Sequence, residues 1–410
     1  MATRGNVIPF DRHRTRRQIP VVWRDAADGR YDRQSLIAWW DQDRLRAARV
    51  VVVGAGALGN ELLKLLALTG VGSLVVVDFD SIARSNLSRT VLFRDDDVGM
   101  PKALVAAERA GAINPDVRVV PLEGDVGRDL GLGALRQADV VLAGLDSVNA
   151  RFHLNRRCLL AGVPWLNVGI SETQFQVTRY VPGSGSCYEC TFSEATLRRF
   201  RERYSCTGLM RRTPDRAQPT TAVTASIAAG FAVHDALRLL HDPSTGLAPG
   251  HRLTCLLDGP HQAVDELPRN EACAAHEPAA VPSLRLDRGP AELSAAEVAR
   301  ASGRQGAGAV ALGWDLVEAF RCPGCGRETL VGRPKATVYE DELRCPACGA
   351  ERQVEIAMEL GPWSPFWDRP LARLGVADRE ILRVVDADGA GGTWVEIGGD
   401  DPWHHGGGRQ

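Results

Sequence analysis

The sequence predicts an α/β fold: a doubly wound, mostly parallel sheet with an antiparallel extension, followed by a small cysteine-bearing module. Three observations carry this. Short β-branched or apolar runs alternate with amphipathic helical patterns over the first two-thirds of the chain, as they must when helices cover both faces of a buried parallel sheet. A glycine-rich turn, Gly54-Ala55-Gly56-Ala57-Leu58-Gly59, follows the first of those runs. Far downstream, Cys322-Pro323-Gly324-Cys325 and Cys345-Pro346-Ala347-Cys348 are separated by 19 residues, a spacing expected of a four-cysteine zinc ribbon.

The elements follow in order. Residues 1–30, with Asp-Arg-His-Arg-Thr-Arg-Arg at 11–17, read as a flexible basic arm. Val50 to Val53 is a buried strand, and Leu62, Leu63, Leu65 and Leu66 give the next helix a face for the sheet. Ser73 to Asp80 is a second strand ending in acid. Further strands are expected at Val117 to Val120, Asp139 to Leu142 and Pro164 to Val168, with helices near 101–112 and 149–161. Alternation at 174–181 and 251–258 extends the sheet, around an irregular stretch at 183–219 and a helix at about 220–240. The composition then shifts to Ala, Pro, Gly and Arg, which predicts a weakly packed linker at 281–307 before a zinc ribbon at 308–360. The segment 361–410 is expected to hold a helix around 370–383, a strand at 393–397 and a frayed end.

At 410 residues, 44% hydrophobic and 24% charged, the chain can bury a sizeable core, and two or three domains are expected. A formal charge of −2 argues against a main task of coating nucleic acid or anionic membrane. The most apolar stretch, Ala222 to Leu240, contains His234, Asp235 and Arg238 and reads as a core helix. The N-terminus shows no apolar signal core, so the expected location is cytoplasmic. Ten cysteines include three Cys-x-x-Cys pairs, which favours metal over disulfides in that compartment.

Gly54, Gly56 and Gly59 sit between a strand and a helix, where backbone amides can approach phosphates. Asp78 ends the next strand, where a carboxylate can bind ribose hydroxyls. A nicotinamide oxidoreductase would show the same features. Asp80, the amide and guanidinium of Asn86 and Arg89, Lys102, and Asp146 beyond the 139–142 strand point instead to a triphosphate with a magnesium-holding carboxylate. Taken singly, Asp78 or Asp146 could be a helix cap, Arg89 and Lys102 surface charges, and Arg151 with Asn155 a structural pair.

Taken in order, these residues resemble a known family. Tyr31-Asp32-Arg33-Gln34, the Gly54–Gly59 turn, Asp78-Phe79-Asp80, Asn86-Leu87-Ser88-Arg89, Asp97-Val98-Gly99 with Lys102, Asn114-Pro115, and Asp146 with Arg151 and Asn155 are similar to the ThiF/MoeB/HesA family, bacterial relatives of ubiquitin-activating enzymes. The resemblance covers residues 31–280 and implies a Rossmann-like adenylation domain using ATP and magnesium. Its implied substrate is the C-terminal carboxylate of a small carrier protein with a Gly-Gly-like tail, handed on to a conjugating enzyme or sulfurtransferase in some branches. It further implies that Asp78 binds ribose, that Asn86, Arg89 and Lys102 hold phosphates, and that Asp146 coordinates magnesium. Arg33 would reach into a partner protomer's ATP site, making a homodimer.

In this family two Cys-x-x-Cys pairs close one zinc site. Here the resemblance implies Cys187, Cys190 and Cys273, with His276 in place of the fourth cysteine, a set zinc accepts. With Cys322, Cys325, Cys345 and Cys348, one or two zinc sites are expected. Cys206 lies among Arg198, Arg199, Arg201, Arg203, Arg211 and Arg212, whose charges favour a thiolate. Some family members form a thioester or carry sulfur on a cysteine in this crossing segment; the alternative is an inert buried thiol. Cys158 and Cys255 fall in core patterns. Two other functions stay open at this point: a nicotinamide-dependent oxidoreductase, although no proton-handling set is evident for one, and a non-catalytic zinc scaffold.

Overall fold

A computed structural model describes residues 28–193, 195–196, 219–259, 261–276, 278–303, 307–386 and 391–404. After a short helix α1 (Gln42–Ala47), the chain runs β1 (Arg49–Val53), α2 (Ala57–Thr69), β2 (Ser73–Asp78), α3 (Lys102–Ile113), β3 (Arg118–Glu123), α4 (Leu132–Leu135), β4 (Val140–Ala143), α5 (Val148–Ala161) and β5 (Trp165–Ile170). These five strands are parallel, and β6 (Gln174–Tyr180), β7 (His251–Leu256) and β8 (His261–Glu266) continue antiparallel, in the order β3-β2-β1-β4-β5-β6-β7-β8. The helix α6 (Ala222–His241) precedes β7. The expected doubly wound sheet with its antiparallel extension is therefore present.

Alternation of side chains explains the unbroken valines of β1. Val50 and Val52 face the core made with α2, α3 and α6, while Val51 and Val53 face the other, made with α4 and α5. Both faces are covered, so both parities must be apolar. The apolar α6 packs into the first of these cores through Ala225, Ala228, Ala229, Ala232 and Val233, which accounts for its composition.

The rest of the chain forms a second sheet from β9 (Leu284–Arg285), β10 (Ala307–Arg321), β11 (Glu328–Pro334), β12 (Gln353–Leu360), β13 (Ile381–Asp386) and β14 (Gly392–Glu396), with the helix α7 (Ala295–Ala301) against it. The structure differs from expectation in three places. The stretch 281–307 contributes β9 and α7, and Leu293, Ala295, Val298 and Ala299 are buried in that sheet's core. Alanines there line a close helix–sheet contact, and a Ser294–Glu297 capping box starts the helix. The expected helix around 370–383 is a single 3₁₀ turn, Leu371–Leu374, closed by Gly375 at φ +85°, after which the β-branched run enters β13. The ribbon and the C-terminal segment are also not separate units. The fifteen-residue β10 pairs with β13 through its first half and with β11 through its second, and β12 runs beside both.

This second unit is latched to the first. Glu380 accepts hydrogen bonds from the Leu132 backbone N–H at 3.2 Å and from Arg157 on α5 at 3.0 Å. Trp403 donates its indole N–H to the Ala134 carbonyl at 2.7 Å, and Gln137 donates to Asp401 at 2.7 Å. Arg157 is 12% exposed and Glu380 3%, so removing one partner strands a buried charge. Glu380→Ala should cost about 3 kcal/mol, read by denaturant unfolding; a loss no larger than that of an exposed pair would show the latch to be idle.

Candidate functional site

The strand order reverses between β1 and β4, and the carboxyl ends of β1, β2 and β4 deliver Gly54, Asp78 and Gly144 to that point, where open α/β sheets bind ligands. Gly54 has φ +89°, and its N–H donates to the Val77 carbonyl at 2.8 Å. A Cβ at Gly59 would lie 1.8 Å from the Gly54 carbonyl oxygen, whereas one at Gly56 would meet no atom within 4 Å. Gly54 and Gly59 are thus demanded by the turn itself. Gly56 is not, and it borders open space at the N-terminus of α2, which no side chain caps and whose first turn holds no acid. Free amides, a favourable dipole and an open cradle suit a phosphate chain.

The Asp78 carboxylate accepts from the Ala55 N–H at 2.6 Å and the Asp80 N–H at 2.8 Å. Burial nonetheless raises its pKa, against those two bonds and the nearby Lys102 ammonium. Lys102 donates to Asp80 at 2.7 Å and opens α3. Asn86 accepts from the Ala83 N–H at 2.9 Å, and Arg89 donates to the Ser85 carbonyl at 2.6 Å, fixing a short 3₁₀ segment, Arg84–Asn86, in the connection that follows β2. Asp146 is exposed just past β4. The cap of α5 is Ser147, whose hydroxyl accepts from the Ala150 N–H at 3.4 Å, so the Asp146 carboxylate is not used as the cap. That set of donors and one free carboxylate fits a magnesium-bound nucleotide.

Other motif residues turn out to hold structure. Tyr31 is buried, receives a hydrogen bond from Asn114 at 2.7 Å and donates to Asp116 at 3.1 Å. It packs beside Gly70, just past the C-terminus of α2. Arg33, two residues on, is exposed there, at the end of α2 away from the glycine turn, so it does not enter this chain's own site. Asn155 accepts from the Tyr188 N–H at 3.1 Å, and Arg156 pairs with buried Glu189 at 2.9 Å, so α5 clamps the Cys187–Cys190 knuckle. Cys206 lies outside the described residues. Sequence reasoning missed Asn60, a fully buried amide in the apolar helix α2, and Glu189. A polar residue on a core-facing helix position is the signal that could have found Asn60.

Both cysteine groups close. Cys187 Sγ lies 3.7 Å from Cys190 Sγ and 3.9 Å from Cys273 Sγ, and Cys190 Sγ lies 3.4 Å from His276 Nε2. Cys322 and Cys348 are 3.4 Å apart, and Cys325 and Cys345 3.7 Å. Within each group all four ligand atoms fall within 4.8 Å of one another. A tetrahedral zinc with bonds of about 2.3 Å has edges of about 3.7 Å, so both sets fit. Backbone N–H groups of Ala347 and Cys348 pull the Cys345 thiol down to about 6, and burial pushes Cys187 up to about 12. Metal analysis should find close to two zinc equivalents per chain, and His276→Ala should remove about one. An unchanged count would exclude His276 as a ligand.

The chain is similar to known proteins over its first two-thirds. The model of the ThiF family matches residues 31–275. The chain is 46% identical over 154 residues to the SAMP-activating enzyme E1 of Haloferax volcanii, covering 38% of this chain and 57% of that one. It is 38% identical over 178 residues to the sulfur carrier protein adenylyltransferase of Thermus thermophilus, covering 42% and 66%. The crystal structure of E. coli MccB with ATP is similar at a TM-score of 0.51 and 26% identity, over 62% of this chain and 75% of that one.

Proposed function

The chain belongs to the ThiF family, and from that premise we propose that it is an ATP-dependent adenylyltransferase that activates the C-terminal carboxylate of a ubiquitin-like or sulfur-carrier protein. The observation that carries this is the joint site: an uncapped α2 N-terminus beside Asp78, with the Asp80–Lys102 pair and Asp146 at the same sheet edge. The names of the Haloferax and Thermus relatives and the ATP bound by MccB support it.

The chemistry asked of the protein is modest. A carrier carboxylate oxygen bonds to the α-phosphorus, the bond to the bridging oxygen breaks, and pyrophosphate leaves with its electrons. The chain's work is to align the two reactants and to spread the phosphate charge. Asp78 would orient the ribose, Asn86, Arg89 and Lys102 would hold phosphates, and Asp146 would hold magnesium, which supplies charge neutralisation when bound. Arg33 would serve the site of a second protomer in a homodimer. Cys206 would receive the activated carboxyl as a thioester, and the two zinc sites would be structural.

The test is ATP–pyrophosphate exchange. Exchange should appear only when a small protein with a free Gly-Gly-like C-terminus is added, and Cys206→Ala should leave it within about two-fold while abolishing any thiol-sensitive conjugate. Exchange that runs without a carboxylate partner, or a chain that binds NAD and not ATP, would overturn the reading.

A further inference from the structure

Asn60 ties together the two arms of the nucleotide site. It lies one residue beyond Gly59, on α2, and is fully buried. Its side-chain amide nitrogen donates to the Ala55 carbonyl at 2.7 Å and to the Gly56 carbonyl at 3.1 Å. Its amide oxygen accepts the Leu92 N–H at 2.8 Å. Every hydrogen-bonding direction of this side chain that the turn can use is taken by backbone.

The consequence follows from the planar trans peptide. In each peptide unit the N–H points opposite to the C=O. The Ala55 carbonyl shares its plane with the Gly56 N–H, and the Gly56 carbonyl with the Ala57 N–H. The Ala55 carbonyl is drawn inward by the Asn60 side chain, and the Gly56 carbonyl by that side chain together with the Asn60 backbone N–H at 2.9 Å, so both N–H groups turn outward. They emerge at the start of α2, where no preceding helical carbonyl can accept them, and on the side where Gly56 borders open space. The preceding peptide plane is held as well, because the Ala55 N–H is fixed by Asp78 at 2.6 Å. Through Leu92 the same side chain anchors the chain that has just left Arg89, and Thr90 braces that segment by donating to the Asn86 carbonyl at 3.0 Å.

We propose that Asn60 is a positioning residue for ATP: it aims the Gly56 and Ala57 amides at the phosphates and fixes their distance from Asn86 and Arg89. This rests on the adenylation reading above. Asn60 does not itself touch the nucleotide, so its effect falls on phosphate recognition and not on the ribose, which Asp78 serves.

The experiment measures affinity for MgATP by calorimetry and for adenosine by competition, in the wild-type chain and in Asn60→Asp, which keeps shape and the acceptor but loses the donor. The preference for ATP over adenosine should fall by about ten-fold or more, as expected when charge-assisted amide–phosphate bonds are misdirected. Asn60→Ser, a smaller change that can still reach the Gly56 carbonyl four residues back, should show the same loss of preference in a smaller degree. It also serves if the aspartate variant does not fold. A merely structural role would weaken both ligands together and leave their ratio unchanged within two-fold, which would overturn the assignment. A wild-type chain with no affinity for MgATP would instead overturn the adenylation reading, and this one with it.

Discussion

Asp146→Ala should lower carrier-dependent ATP–pyrophosphate exchange by at least about 1000-fold, the scale at which removal of a preorganised charge partner acts on a transferring phosphoryl group. The same substitution should leave folding stability within about 0.5 kcal/mol of wild type, because the side chain is exposed and the α5 cap belongs to Ser147. That separation is what makes the variant informative. A carboxylate that merely capped α5 would cost about 1 kcal/mol of stability and leave exchange intact; one that holds magnesium does the reverse. Asp146→Asn sharpens the comparison, since it keeps size and a capping oxygen but removes the charge that a hard divalent cation requires. It should lose activity nearly as fully, with partial return as magnesium is raised. An Asp146→Ala chain that exchanges within ten-fold of wild type would mean that the magnesium ligand lies elsewhere.

The first unit is legible in the sequence because its strands are buried on both faces. Val50 to Val53 and Ser73 to Asp80 read as near-continuous apolar runs, and the alternation of strands and helices alone places the residues at their ends along one sheet edge. The edge strand β8 is not legible. Its sequence, His-Gln-Ala-Val-Asp-Glu, is largely exposed and owes its conformation to pairing with β7, so no burial pattern marks it. The second unit fails differently. The α7 segment is alanine-rich, and its small side chains carry little hydrophobic signal although the contact they make is close. Around 371–384 the leucine spacing suits a helix, and only the left-handed Gly375 and the β-branched residues beyond it decide for a strand. Within the site, strand-end carboxylates are legible by position. Asn60 is not, because its partners are carbonyls that only the folded turn brings within reach. Nor is the exposed end of α2 on which Arg33 sits, because that location depends on Tyr31 meeting Asn114 across the fold.

Cys345→Ser should remove about one zinc equivalent and unfold the tip of the second sheet while the first unit keeps the proposed exchange activity. The local core beneath the four cysteines is small: Val317, Phe320, Val338 and Leu343 are its buried side chains. Such a cluster is small for ordering the two knuckles and the chain between them, so the fold of that tip is expected to depend on metal, whose binding supplies on the order of 10 kcal/mol in comparable sites. Serine at 345 also loses the thiol that the Ala347 and Cys348 N–H groups hold toward thiolate. The damage should stop partway along β10. Its first half pairs with β13 and rests on the separate core of Leu293, Val310, Leu312, Phe366 and Leu382. The latch to the first unit also runs through Glu380 and Trp403, outside the ribbon. Hydrogen exchange should therefore lose protection within about 317–354 and keep it in β13 and β14, with ATP–pyrophosphate exchange unchanged within about two-fold. Loss of protection reaching β13, or collapse of exchange activity, would show instead that the zinc tip and the nucleotide site fold as one cooperative unit.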